Sequence, residues 1–176
     1  MTTLAGTCPL AMSGLCWVSL TGQDMTAFGL PGGWGVDALV GRQTRIHSDL
    51  DLAVDVTQMA LEHLLQAFGR HGYAVEADWR PSRVALIADG ARQVDVHPIV
   101  FDAQGTGWRA NVEGQEPFRY PEDAFAQGLI DGRVVDCLSV SLQLRFHRAG
   151  PLTATRSRMP DGVRRTLPCL ERTIGK

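Results

Sequence analysis

Lysine is all but absent from this 176-residue chain: Lys176 is the sole example among 17 basic residues, and the others are arginines. So uniform a preference reflects genome composition rather than chemistry, and a single arginine carries little weight as a signal. An excess of either charge is also lacking. Nineteen acidic residues leave a formal net charge of −2, which excludes a general nucleic-acid binder, because that role needs a basic surface to displace counterions from phosphates. No basic residue precedes Arg42. The apolar run from Leu4 to Leu20 therefore lacks the positive start of a secretory signal. Gly6, Pro9 and Gly14 interrupt that run, whose length is already marginal for a membrane span. It reads as an irregular opening helix packed on a cytoplasmic protein. The four cysteines, Cys8, Cys16, Cys137 and Cys169, form no CxxC pair and no zinc spacing with histidine, so reduced thiols are expected. Internal repeats and low-complexity segments are missing too, and the length fits one domain able to bury its own core.

What is present has a clear order. Met25 to Leu30 is a short apolar strand that runs into a turn at Pro31-Gly32-Gly33. Trp34 to Val40 has helical character and stops at Gly41. Leu50 to Val54 alternates as a strand. Asp55 or Thr57 can cap the following helix, in which Leu61, Leu64, Leu65 and Phe68 recur at i, i+3, i+4 and i+7 to give one apolar face, ended by Gly72. Tyr73 to Asp78, Arg83 to Ala88 and Gln93 to Val100 read as strands, the last two joined by a hairpin around Asp89-Gly90. Phe101 to Tyr120 is rich in glycine and polar groups and reads as a functional loop region. Ser139 can cap a last helix reaching about His147, on which Gln143 and His147 share a face at i and i+4. No element is assigned from Pro151 onward. This order implies an α+β domain built on a mixed sheet with helices on one side.

The chemistry concentrates in His47-Ser48-Asp49-Leu50-Asp51-Leu52. Residues i and i+2 of a strand share a face, so Asp49 and Asp51 point one way while Leu50 and Leu52 point into the core. Val94-Asp95-Val96-His97 repeats the pattern. If the two strands are neighbours, three carboxylates meet on one patch, where they repel one another unless a cation lies among them. Hard oxygen donors select Mg²⁺ or Mn²⁺, and two such ions can hold the attacking and leaving oxygens of an in-line displacement at phosphorus. Alone, an Asp-x-Asp pair is most often a solvated strand face. The offset gives it meaning: Gly32-Gly33, where a backbone can approach phosphate at a helix N-terminus, lies 16 residues ahead of Asp49 with a short helix between.

The run GGWGVDALVGRQTRIHSDLDL resembles the polymerase-β-type nucleotidyltransferases, and in particular their small antibiotic-modifying branch. DWRPSR at Asp78 to Arg83, VDVHPI at Val94 to Ile99, N-x-E-G at Asn111 to Gly114 and QLRFHRAG at Gln143 to Gly150 extend the likeness over Phe28 to Gly150. Together they are more similar to the lincosamide nucleotidyltransferases than to the aminoglycoside 2″-adenylyltransferases, which share mainly the Gly-Gly and Asp-x-Asp portions. The resemblance implies a polymerase-β-type core over residues 1–135 and a helical C-terminal segment over 136–176. It makes Asp49 and Asp51 metal ligands and Asp95 a third metal-site carboxylate and the general base on the acceptor hydroxyl. It sets Gly32, Gly33, Arg42, Arg45 and His47 against the nucleotide phosphates, and makes Trp79, Arg83, His97, Asn111 and Glu113 candidates for substrate contacts. It also implies two Mg²⁺ ions, ATP as donor and a small-molecule antibiotic as acceptor, with no nucleic-acid or membrane partner; a homodimer is compatible with all of this. Trp79 is the natural aromatic wall of a lincosamide pocket and Glu113 its carboxylate. The span from Trp79 to Tyr120 carries five carboxylates against five arginines, so the acidic cleft that a polycationic aminoglycoside needs is lacking; that antibiotic class is the runner-up. A silent nucleotide-binding or antitoxin-like protein is the other alternative, against which stands the intact trio of aspartates. The chain departs from the family at its glycine-broken opening and in its tail from Thr153 to Lys176.

Overall fold

The computed structural model describes residues 27–56, 61–89, 92–111 and 117–149. Strand β1 (Ala27–Gly29) leads into helix α1 (Gly32–Val40), which Gly41 closes in the left-handed conformation, its N–H donating to the Ala38 and Asp37 carbonyls. Strand β2 (Asp49–Asp55) follows, then α2 (Leu61–Arg70), β3 (Ala74–Trp79), β4 (Arg83–Ala88) and β5 (Arg92–Phe101). The order across the sheet is β1-β2-β5-β4-β3. Only the central β2–β5 pair is parallel; β1–β2, β3–β4 and β4–β5 are antiparallel. The α+β class and mixed sheet expected from the sequence are those of the structure.

Two cores flank this sheet. Leu52, Val54, Val84, Leu86, Val94 and Val96 pack on one face against Leu61, Leu64 and Phe68 of α2 and Trp34 of α1. The 3.6-residue stripe read from α2 is thus its buried side. Ala53, Ile99, Tyr120, Ala124, Leu138 and Leu142 form the second core, which begins where the polar part of the opposite sheet face ends. Both faces of β2 are therefore covered toward its end, with Leu52 and Ala53 each fully buried.

Three readings are corrected. Residues 101–120 are more than a loop: β6 (Gly107–Arg109) pairs with the end of β5, and β7 (Phe118–Tyr120) pairs with β6. These strands are three residues each, too short for a sequence alternation to register. Asp55 ends β2 rather than capping α2, which begins at Leu61; Thr57 lies outside the described residues. An element with no counterpart in the sequence reading is the hairpin of β8 (Phe125–Ile130) and β9 (Arg133–Leu138), preceded by a 3₁₀ turn at Glu122–Ala124. β9 runs across the expected 135/136 boundary, so the helical segment starts after Leu138, with α3 at Val140–Ala149. The opening segment, Gly90, Cys8, Cys16, Cys169 and the tail lie outside the described residues; Cys137 is a buried free thiol. Among the described residues no helix is long and apolar enough to cross a membrane.

Helix α3 returns to the start of the domain. Leu144 packs with Val36 of α1, and the buried Gln143 amide donates to the carbonyls of Leu30, at 3.5 Å, and Gly32, at 3.4 Å. Because Leu64 is 1% exposed at the centre of the first core, Leu64→Ala should lower unfolding free energy by about 2–5 kcal/mol. Urea denaturation checks this, and a loss well under 1 kcal/mol would mean the α2 stripe is not buried as described.

Candidate active site

Parallel pairing sets Asp51 opposite Asp95 and Asp49 opposite Gln93. With a period of two, Asp49, Asp51, Asp95 and His97 all face away from the first core. The neighbouring strands assumed in the sequence reading are thus real, and the carboxylates of β2 and β5 share one face. Each has acquired a partner. Arg83 Nη1 donates to Asp95 Oδ2 at 2.9 Å, and His97 Nε2 lies 3.1 Å from Asp51 Oδ1. Ser48 donates to Asp49 Oδ1 at 3.1 Å. Burial, helped by the negative charges of Asp51 and Asp49, pushes the Asp95 carboxyl above the ordinary carboxylate range, while Arg83 and His97 pull it back. Among the described residues no group of three His, Cys, Asp or Glu side chains is already placed to hold a metal ion.

The turn before α1 reaches this face. Gly32 has φ of 66°, and a Cβ added there would collide with the Asp51 carboxylate. A Cβ at Gly33 would collide with the His47 ring and the Arg45 guanidinium. Only glycine leaves the space in which a phosphate could meet the backbone beside a carboxylate. The chemistry of the three carboxylates suits a hard divalent ion: Asp49, Asp51 and Asp95 offer oxygen donors on one face beside this turn, with His97 next to them.

His47 is more firmly held than a phosphate contact requires. Its Nε2 lies 2.5 Å from Asp37 Oδ2, both side chains being buried, and its ring packs 4.6 Å from that of Trp34. Thr44 donates to the other Asp37 oxygen through its N–H, at 3.0 Å, and its hydroxyl, at 2.5 Å. Asp37 thus pins the 41–48 loop to α1. The sequence reading missed it, although an aspartate inside the apolar stretch Gly35-Val36-Asp37-Ala38-Leu39-Val40 was the available signal. Arg45 lies over Gly33, whereas Arg42 is exposed and bonds Asp37 only through its backbone N–H.

Beside the carboxylates opens a cleft of about 770 Å³ lined by Trp79, Arg80, Pro81, Ser82, Arg83, His97, Arg109, Ala110 and Asn111. Four of the five expected substrate-contact residues, Trp79, Arg83, His97 and Asn111, meet here; Glu113 lies outside the described residues. Trp79 is 51% exposed and carries the Arg83 guanidinium 4.3 Å from its ring centroid. Arg83 therefore links the aromatic wall to Asp95, and His97 links the cleft to Asp51. Two buried polar atoms, His97 Nδ1 and the Tyr120 hydroxyl, lack a hydrogen-bond partner among the described residues.

The comparisons with known proteins agree with this geometry. A sequence model of the aminoglycoside-2″-adenylyltransferase family matches residues 19–160. A lincosamide resistance protein of Staphylococcus haemolyticus is 36% identical over 126 residues, 72% of this chain and 76% of that protein. The crystal structure of the lincosamide antibiotic adenylyltransferase LnuA, lincomycin-bound, superposes with a TM-score of 0.66 at 29% identity, covering 81% of this chain and 84% of that one. ANT(2″)-Ia in complex with adenylyl-2″-tobramycin gives a TM-score of 0.72 over 94% of this chain and 89% of that one; at 18% identity it speaks for the fold alone. Since Asp37 is the sole described anchor of both His47 Nε2 and Thr44, Asp37→Ala should cost about 1–3 kcal/mol by leaving buried polar groups unpaired. Thermal unfolding measures it, and an unchanged midpoint would remove the anchoring role.

Proposed function

The chain belongs to the aminoglycoside-2″-adenylyltransferase family, and from that membership and the site we propose that it transfers AMP from ATP to a hydroxyl of a lincosamide, inactivating the antibiotic. The observation that carries the reaction type is the register of β2 on β5, which pairs Asp51 with Asp95 beside the Gly32-Gly33 turn. The acceptor class is supported by the 36% identical lincosamide resistance protein and by the likeness to LnuA at 29% identity.

Asp49 and Asp51, with Asp95, would hold Mg²⁺. When bound, the ion neutralises phosphate charge and stabilises the charge that develops as the pentavalent centre forms. The rest is done by the chain. Gly32 and Gly33 let the triphosphate approach the backbone at the start of α1, and Arg45, lying over Gly33, offers a cation to it. The acceptor sugar rests in the cleft against Trp79 with its hydroxyl toward Asp95. A sugar hydroxyl is a poor nucleophile. Asp95, whose burial makes it more basic than an ordinary aspartate, takes the hydroxyl proton as the oxygen bonds to the α-phosphorus and pyrophosphate departs. Arg83 keeps that carboxylate oriented through its 2.9 Å hydrogen bond, and His97 does the same for Asp51. The reacting groups are thereby held in place before substrate arrives, which is where most of the acceleration in phosphoryl-type transfer originates.

An aminoglycoside acceptor is the second reading, and the family's own description favours it. Incubating the protein with Mg²⁺, ATP and a panel of lincosamides and aminoglycosides decides between them. The expected result is adenylylated lincomycin or clindamycin by mass spectrometry, and labelled kanamycin with unmodified lincomycin would reverse the assignment. Within the reaction, Asp51→Asn should lower turnover at least ~10²-fold through loss of metal stabilisation. Asp95→Asn should cost roughly 10²- to 10⁴-fold while Mg·ATP binding, followed by calorimetry, persists. Loss of that binding in step with activity would make Asp95 chiefly a metal ligand.

A further inference from the structure

The cleft beside Asp95 has an unusual electrical character. Its described lining contains three arginines and a histidine and no carboxylate. Two of the guanidiniums are neutralised by neighbours. Arg80 pairs with Asp78 at 2.7 Å and Glu62 at 2.9 Å, and Arg83 pairs with Asp95 at 2.9 Å. Arg109 differs. Among the described residues it has no ion pair; its guanidinium lies 5.5 Å from the centroid of the Phe118 ring. That ring is itself stacked on Phe146, with centroids 4.3 Å apart, so Arg109 rests on a fixed aromatic support in the cleft wall. Burial pushes the Tyr120 hydroxyl above its ordinary range, and the Arg109 charge partly offsets that rise.

We propose that Arg109, which has no ion pair among the described residues, is a specificity-determining residue whose charge in the cleft wall rejects multiply cationic acceptors. This rests on the acceptor reading given above and deepens it. Discrimination between ligands often depends on a repulsive element against the wrong one rather than on better contacts to the right one. A lincosamide brings one amine to the cleft, whereas an aminoglycoside brings several ammonium groups into a space of about 770 Å³ that Arg109 lines. Two like charges a few ångströms apart in a partly solvated wall change binding by the order of tenfold. The same force falls as salt screens it. Merely holding Phe118 in place would have neither consequence.

The test is the ratio of kanamycin to lincomycin dissociation constants, measured by calorimetric competition in the presence of Mg²⁺ and a non-hydrolysable ATP analogue. For wild type the ratio should be large at about 0.05 M NaCl and should shrink toward about 0.5 M. Arg109→Gln should lower it about tenfold, R109E should lower it further, and R109K should restore it. The salt series in wild type reads the same charge, so the proposal stays testable should a variant fold poorly. A ratio that ignores both salt and the charge at position 109, in a protein that binds lincomycin, overturns this inference alone. Wild-type protein that binds neither drug overturns the acceptor reading and this inference with it.

Discussion

The parallel pairing of β2 with β5 is the constraint from which the rest of the site follows. One ladder performs two tasks at once. Toward α2 it stacks Leu52 and Val54 beside Val94 and Val96 in the first core, and on the reverse face it brings Asp51 opposite Asp95. A shift of one residue in that register would carry the valines out of the core and drive the aspartates into it. Apolar burial, worth roughly 25 cal/mol per Å², thus fixes the spacing of the carboxylates, although the carboxylates themselves repel. Hydrophobic packing on one side of the sheet supplies the force that keeps like charges together on the other.

Around this pair the protein has arranged two nitrogen-bearing side chains that serve two regions. Arg83 touches both the cleft's aromatic wall and Asp95, and His97 both lines the cleft and bonds Asp51. The cleft and the carboxylate face therefore share walls. Neither residue lies on a mobile loop: Arg83 opens β4 and His97 is in the middle of β5, strands paired directly with each other. Catalytic groups supported by sheet positions are held more closely than groups carried on loops.

Much of this was legible in the amino-acid order, and the reason is local. Asp49-Leu50-Asp51-Leu52 and Val94-Asp95-Val96-His97 alternate strictly, and strand alternation is a property of three or four residues. The Leu61, Leu64, Phe68 stripe is legible for the same reason at helical spacing. That β2 and β5 are adjacent is a fact about chain topology, for which residue patterns gave only a condition. Short strands such as β6 and β7, with three residues each, fall below the length at which any alternation stands out. Asp37 escaped because its partners, Thr44 and His47, lie across a loop whose path no periodicity predicts. Arg109 was obscured by the chain's general abundance of arginine; only the surroundings of its guanidinium separate it from the rest. Trp79 was named as an aromatic wall through the family resemblance, whereas its exposure follows from β3 being the edge strand, a position the sequence does not declare.

The strap from Gln143 to the Gly32 carbonyl spans 111 residues of sequence. Closing a loop of that length costs conformational entropy that the packing of α3 must offset. The Gly32 turn beside the carboxylates is therefore held by α3 as well as by its own neighbours. A chain without α3 would carry every aspartate of the site and still lose the side-chain bonds that tie the Leu30 and Gly32 carbonyls to the rest of the domain.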